Sequence, residues 1–319
     1  MRVAFAHHLS LKYGGGGEKW IVQFSKELVR RGHEVEIYCL PFQLKGSLNY
    51  DFKTELQGIK YHEGYFHTIN ADVAYVTYNP LSWLNFHINA PKVGGMHSQA
   101  YWKPISFKYG LLPGIAVIAN ALTSRWELAR FKTIHTLLDE YPISHKNIKI
   151  IPNFVDSNVY KQVEQKLETF TVGFASRKNW QKGYDIWEAL KPRLQTLNIN
   201  TVETGNVPEG KMPNFLSQCH VVIVPARVDT FGIVIIESIF CGSIPVVSPL
   251  ITHHALSLPL FYADTIESCI KRILEVKEMW DVGLYDQYQS ILCRQAERFK
   301  KEKVIIDLEQ MLLEAATID

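Results

Sequence analysis

The apolar positions of this chain fall into short runs separated by stretches of helical spacing. Runs rich in apolar and β-branched residues occupy positions 2–7, 34–40, 72–78, 92–96, 115–119 and 148–151, with a shorter one near 60–62. A second series follows at 169–175, 200–204, 220–225, 244–247 and 262–264. Runs of this length without polar alternation predict strands buried on both faces, as in a parallel sheet. Between them the period lengthens. Ile21, Phe24 and Leu28 share one face at i, i+3 and i+7, which predicts a helix closed by Gly32. Similar spacing predicts helices at 124–131, 184–194, 211–219, 233–240, 265–280 and from 284 to 316. Strand and helix in alternation predict an α/β chain built on parallel sheets. The segment Pro152-Asn153-Phe154-Val155-Asp156 combines a helix breaker with an Asn-x-x-Asp turn, suited to a crossover between domains. The expected division is a first domain over 1–155 and a second over 156–319.

At 319 residues, each half is long enough to bury a core of its own. No apolar stretch reaches the roughly 18 residues of a membrane-spanning helix. Met1-Arg2-Val3 leads directly into a strand, so no secretory leader is expected. Cys39, Cys219, Cys241, Cys269 and Cys293 form no Cys-x-x-Cys pair. They predict reduced thiols in a cytoplasmic protein, not disulfides or structural zinc. The net charge of +2 conceals an asymmetry: residues 1–155 hold 17 Lys and Arg against 11 Asp and Glu, residues 156–319 hold 17 against 21. A first half at +6 suits an anionic surface or a glycan, and is too weakly basic to predict nucleic-acid binding.

Candidate chemistry concentrates where strands give way to helices. Gly14, Gly15, Gly16 and Gly17 lie between the first strand and its helix, where glycine lets the backbone approach a phosphate or sugar. The run is not G-x-G-x-x-G, which argues against a nicotinamide site; a merely flexible turn is the plain alternative. His97 falls at the carboxyl end of the 92–96 strand, the place where open α/β sheets bind ligands. His7 and His8 hold a similar position on the first strand, whereas His253 and His254 read as loop. Residues 99–114 interleave Tyr101, Trp102, Phe107 and Tyr109 with Lys103 and Lys108. That mixture fits a membrane interface or sugar-stacking loop, or equally a partly buried helix. In the second half, Arg177 and Lys182 lie five apart between a strand and a helix. Two cations there could hold a diphosphate beside a helix N-terminus without a metal, and no Asp-x-Asp metal motif occurs in the chain. Residues 227–248 form the densest unit. Asp229 precedes a helix opened by Phe231 and Gly232, with Thr230 as its expected N-cap, and Glu237 lies nearly two turns in. Gly242 is placed to end the helix with φ > 0 before the strand at 244–247. An acid in the apolar surroundings of Glu237 must be paired with a base or bound to a ligand.

Asp229-Thr230-Phe231-Gly232, then Ile236-Glu237-Ser238 and Gly242-Ser243-Ile244-Pro245-Val246-Val247-Ser248, resemble the signature of the retaining glycosyltransferases of family 4. There two glutamates bracket a Phe-Gly helix start, and a Gly-x-Pro-Val-Val strand follows. The glycines at 14–17, residues 177–183 and residues 150–156 fit the same pattern in order. The resemblance implies the GT-B fold, an α/β architecture of two Rossmann-like domains facing a cleft, with a C-terminal helix crossing back to the first domain. It also implies retaining, metal-independent transfer of a sugar, a hexose by preference, from a UDP- or GDP-sugar to a glycan or lipid-linked acceptor. By the same resemblance Glu237 holds the ribose, Arg177 and Lys182 the diphosphate, and Phe231 and Gly232 frame the donor. Asp229 and His97 meet the sugar, and the glycines at 14–17 border sugar and acceptor. The leaving phosphate would then assist the incoming hydroxyl. No cofactor or metal is expected, and peripheral contact with an anionic membrane at its cytoplasmic face is. Two departures stand out: Asp229 replaces the first family glutamate, and Phe154 stands where the family has glycine. The first of them, with the compact loops after Val247, keeps a non-catalytic glycan-binding or partner subunit in view; a nucleotide-sugar epimerase of the same architecture, which would bind a similar donor, is the other alternative.

Overall fold

The computed structural model describes residues 1–43, 51–80, 84–97, 111–139, 143–204 and 209–317. They form two compact units, one comprising Met1–Ile151 and Ile305–Asp319, the other Pro152–Val304. The division thus falls inside the Pro152–Asp156 turn, and the end of the chain returns to the first unit.

The first unit is built on a parallel sheet of β1 (Arg2–His7), β2 (Glu34–Cys39), β3 (Lys60–Glu63), β5 (Val73–Thr77), β7 (Lys92–Met96), β8 (Thr133–Thr136) and β9 (Ile148–Ile150), ordered β3-β2-β1-β5-β7-β8-β9. A separate short pair, β4 (His67–Asn70) with β6 (Phe86–Asn89), stands outside the apolar pattern and was not expected. Helix α1 (Gly16–Arg30) buries Trp20, Ile21, Phe24 and Leu28 against the sheet, with Phe24 edge-on to Phe5 of β1. It starts two residues earlier than its hydrophobic period, because Gly15 serves as N-cap and Gly16 and Gly17 already belong to the first turn.

The largest departure from the sequence reading lies at 111–128. Residues 115–119 were expected as a strand and 124–131 as a helix; one helix, α2 (Leu111–Leu128), covers both. A short apolar run carries no period of its own, so Ile115-Ala116-Val117-Ile118 fits either element. The Ala- and Leu-rich sequence around it favours helix. The expected interfacial stretch at 99–110 lies outside the described residues.

The second unit carries β10 (Thr171–Phe174), α3 (Tyr184–Thr196), β11 (Asn200–Glu203), α4 (Met212–Gln218), β12 (Val221–Val224), α5 (Ile233–Phe240), β13 (Ile244–Val247), α6 (Ile251–Ala255), β14 (Phe261–Tyr262), α7 (Ile266–Asp281) and α8 (Tyr285–Ala296). Its sheet is parallel and ordered β11-β10-β12-β13-β14. β10, β12 and β13 are buried along their whole length, as their unbroken apolar runs require. The last helix, α9 (Lys301–Ala316), begins on the second unit, where Lys301 pairs with Asp156, and its later residues belong to the first. There Glu309 accepts from Arg31 at 2.7 Å and His33 at 2.8 Å, and Glu314 pairs with Lys149 at 2.9 Å.

Candidate functional site

In an open parallel sheet, ligands bind at the carboxyl ends of the strands where the order reverses, because the loops there diverge and leave a crevice. In the second unit that reversal falls between β10 and β12. The loops leaving those strands contain Arg177 and Lys182 on one side and Asp229 to Gly232 on the other. Asn179 shapes the first loop: its Oδ1 accepts the Lys182 N–H at 2.9 Å and caps the turn Trp180–Lys182. Gly183 has φ +72°, and a Cβ there would lie 2.0 Å from the Pro225 carbonyl oxygen. The two loops therefore touch backbone to backbone, and only glycine permits it. Arg227 latches them from the side. Its guanidinium forms a fork with Asp185, both contacts at 2.6 Å, donates to the Trp180 carbonyl at 2.9 Å, and stacks 4.9 Å from the Trp180 ring.

The latched loops bring the Lys182 ammonium within 3.1 Å of Asp229 Oδ2. The other oxygen, Oδ1, accepts the Thr230 N–H at 2.9 Å and the Gly232 N–H at 3.2 Å. Asp229, not Thr230, thus ties up the entry to α5; the N-cap is Gly232, at φ +79° and with no side chain to offer. Burial raises the Asp229 carboxyl, but Lys182 and His253 beside it outweigh that and hold it well below the usual carboxylate range. His253, read from the sequence as loop, is a fully buried residue of α6. Its Nδ1–H donates to the Ser248 carbonyl at 2.8 Å, and its Nε2 stands 3.7 Å from Asp229 Oδ2. Nothing in the local sequence signals this contact, which joins α6 to the loop before α5 across 24 residues. Glu237 lies in the second turn of α5, partly exposed between buried Ile236 and Ser238. Phe231 packs edge-on against Phe299, so this segment offers a ligand its backbone and not its ring. Gly242 closes the helix at φ +85°, as expected.

In the first unit the reversal falls between β1 and β5. His7 ends β1, Thr77 ends β5, and His7 Nδ1 lies 2.6 Å from the Thr77 hydroxyl. His7 Nε2 lies 2.7 Å from Glu18 in the first turn of α1. Burial raises the Glu18 carboxyl, yet the hydrogen bond and charge of His7 and backbone N–H groups bring it net below its ordinary value. The glycines before it divide by role. Gly14 takes φ +67°, and a Cβ on Gly15 would meet Glu18 Oε2 at 2.6 Å. A Cβ on Gly16 or Gly17 would meet nothing within 4 Å. His97 follows β7, its Nε2 2.7 Å from the Tyr75 hydroxyl and its ring 4.4 Å from Trp20. The same hydroxyl lies 2.5 Å from His135 Nδ1. Burial, then the neighbouring histidines His135, His7 and His8, push the His97 imidazole well below its ordinary pKa. Glu18, Tyr75, His135, His253 and Arg227 were not singled out from the sequence. Tyr75 left a trace there, as a polar residue inside the apolar run 72–78; His135 left none, because β8 is Thr-Ile-His-Thr and was not expected as a strand.

Residues 187–254, from α3 to α6, match the family described as Glycosyl transferases group 1. No curated protein matches the chain in sequence. Solved structures do match in fold. Sucrose-phosphate synthase from Thermosynechococcus elongatus superposes with a TM-score of 0.73 at 13% identity, over 99% of this chain and 100% of that one. Anabaena HepE, crystallised with UDP-glucose, gives 0.69 at 16% identity over 98% of both chains. WaaG, a glycosyltransferase involved in lipopolysaccharide biosynthesis, gives 0.63 at 13% identity over 97% of this chain and 99% of that one. The chain therefore has the GT-B fold seen in those structures, and within its second unit residues 187–254 match the glycosyl transferases group 1 family.

Proposed function

We propose that the chain is a retaining, metal-independent glycosyltransferase that moves a hexose from a nucleotide-sugar to an acceptor hydroxyl. The observation that carries this reading is the Lys182–Asp229 pair, 3.1 Å apart at the second unit's sheet reversal and at the entry to α5. A departing nucleoside diphosphate gains negative charge, and a fixed cation beside a helix N-terminus stabilises that charge without reorganising. Arg177 on the same loop supplies the second cation, which supports the metal-free reading together with the lack of Asp-x-Asp. Diphosphate arriving at Lys182 shares the ammonium with Asp229 and leaves that carboxylate able to accept a sugar hydroxyl. Glu237 takes the ribose hydroxyls, Phe231 and Gly232 frame the donor with backbone, and His97 accepts a sugar hydroxyl on the first unit. The open space above Gly16 and Gly17, over the start of α1, suits a sugar or acceptor approaching the backbone. Retention follows when the leaving phosphate oxygen takes the proton of the incoming hydroxyl on the same face. UDP-glucose bound to HepE makes a UDP-hexose the first donor to try, with GDP-hexoses second.

A lipid-linked acceptor met at a membrane is supported by α2 and by the basic first half. Ile115, Ile118, Leu122 and Trp126 form one stripe at i, i+3, i+7 and i+11, each close to half exposed or more. Arg130 stacks 4.8 Å from the Trp126 ring at its end. Apolar residues flanked by bases suit an anionic bilayer surface, here the cytoplasmic face of a membrane. Among the described residues no helix is long and apolar enough to cross one.

Incubation with UDP- and GDP-hexoses in excess EDTA, followed by mass spectrometry and by the anomeric coupling of any product, tests the central reading. It requires released nucleoside diphosphate and a retained anomer. Turnover restored only by Mn²⁺ or Mg²⁺ contradicts the metal-free clamp. A sugar inverted while still attached to its nucleotide marks an epimerase, and no reaction with any donor marks a non-catalytic subunit.

A further inference from the structure

Tyr75 on β5 and His135 on β8 are separated by β7, yet the Tyr75 hydroxyl reaches His135 Nδ1 at 2.5 Å. Gly95 makes the crossing possible. It is the β7 residue in register with His135, and a Cβ there would lie 2.1 Å from the Tyr75 hydroxyl oxygen. The bonds that meet at this hydroxyl have a fixed direction, and one backbone carbonyl sets it. The Ile151 carbonyl, 2.8 Å from His135 Nε2, can only accept. His135 Nε2 therefore carries a hydrogen. Burial pushes the His135 imidazole down to about 4, so at neutral pH its Nδ1 holds a lone pair. The Tyr75 O–H must donate to that lone pair, which leaves the phenolic oxygen to accept from His97 Nε2–H at 2.7 Å. His97, neutral for the same reason of burial, is then left with an unprotonated Nδ1. Nδ1 has no hydrogen-bond partner among the described residues.

We infer that Tyr75 and His135 are positioning residues that lock His97 in its Nε2–H form, so that Nδ1 accepts a hydrogen bond from a ligand hydroxyl and rejects a phosphate or carbonyl oxygen. This rests on the donor reading above for the ligand's identity as a sugar, but the lock itself does not. A neutral ring with a fixed acceptor discriminates by hydrogen-bond polarity: an oxygen without a hydrogen meets lone pair against lone pair. Trp20, 4.4 Å from His97 and 5.2 Å from Tyr75, packs on the relay and limits rotation of both rings.

Long-range ¹H–¹⁵N spectra of the full chain, with ring-¹⁵N-labelled histidine, read the tautomer without any substrate. His97, assigned by its loss in His97→Gln, is expected as the Nε2–H form in the wild type and as a mixture in Tyr75→Phe, which keeps the ring and removes only the hydroxyl. A proton on Nδ1 in the wild type, or identical spectra for the two proteins, overturns the lock. The hydroxyl contact is tested by titrating UDP-glucose and its monodeoxy analogues. One deoxygenation should weaken wild-type binding about tenfold and weaken Tyr75→Phe binding by less, since a single hydrogen bond is at stake and only part of that protein's His97 keeps the Nδ1 acceptor. Equal losses in both proteins for every analogue overturn that contact. Failure of UDP-glucose to bind at all counts against the donor reading, and the spectra then decide on the lock alone.

Discussion

At the sheet reversal of the second unit the side chains are ionic and paired, Lys182 with Asp229 between loops and Arg227 with Asp185 at the start of α3. At the corresponding reversal of the first unit they are mostly rings, with His7 on Thr77 and Glu18, and His97 joined through Tyr75 to His135. Burial acts on both groups with opposite outcomes. It drives His97 and His135 to their neutral forms, because no anion among the described residues faces them closely enough to hold a proton. It fails to neutralise Asp229, because Lys182 does face it. The same topological position can thus be prepared for charge or for hydroxyl recognition, depending on whether a counter-charge accompanies the buried group.

The heaviest blow to this contrast should come from its charged side. Lys182→Ala and Glu237→Ala are each expected to abolish transfer, at a cost of about 2–4 kcal/mol in the transition state, with circular dichroism unchanged. Near wild-type turnover in both would remove the donor assignment. Next comes Gly183→Ala, which forces a side chain against the Pro225 carbonyl in a left-handed conformation. It should lower stability by about 3 kcal/mol, read as a loss of Tm. A shift within the error of the melt would show that the two loops can part. The neutral side has a pH signature. His135 is free to protonate at an ordinary pKa of about 6.5 when unfolded, but its folded value is about 4. Its contribution is complete above the unfolded value and is lost as pH falls from there toward 4. His135→Leu should flatten that limb of the Tm–pH curve; an unchanged slope would show the ring is already charged in the fold. Arg227→Ala, which loosens the loop bearing Lys182 without removing a residue proposed to touch the donor, should weaken nucleotide binding about tenfold while a saturated enzyme keeps its kcat. The smallest effect is expected at the membrane. Salt-sensitive sedimentation with anionic liposomes should fall in Leu122→Glu and in Lys103→Glu/Lys108→Glu, and equal binding by all three proteins would dismiss the membrane contact.

How much of this was legible in the sequence follows from the range of the interactions involved. The α/β alternation, the loops bearing Arg177, Lys182 and Asp229, and the helix bearing Glu237 were legible, because a strand end and a helix start are local patterns. Gly242 was legible for the same reason. The cap of α5 was misassigned to Thr230, because Asp229 reaches past it to the Gly232 N–H. His253 was read as loop and given no role, since its closeness to Asp229 depends on how α6 lies beside the loop before α5. The relay through Tyr75 and His135 needs the register of three strands, which no single segment encodes. A clue to it existed in Gly95, a glycine inside a strand, which marks a place where something must pass close to the backbone. At 115–119 the failure was of another kind. The segment is too short and too uniformly apolar to have a period, and its outward face is apolar as well.

The central claim is that the donor's diphosphate binds at the charged reversal of the second unit. Isothermal titration of UDP, GDP and ADP into the wild type, Lys182→Ala and Tyr75→Phe tests it most directly. Removing one charged contact to a phosphate should cost about 2 kcal/mol or more, roughly 30-fold in Kd. One nucleotide is expected to bind the wild type, Lys182→Ala to lose that binding by at least this factor, and Tyr75→Phe to bind the bare nucleotide as the wild type does. A Lys182→Ala protein that binds the nucleotide with wild-type affinity, or a loss confined to Tyr75→Phe, would contradict it.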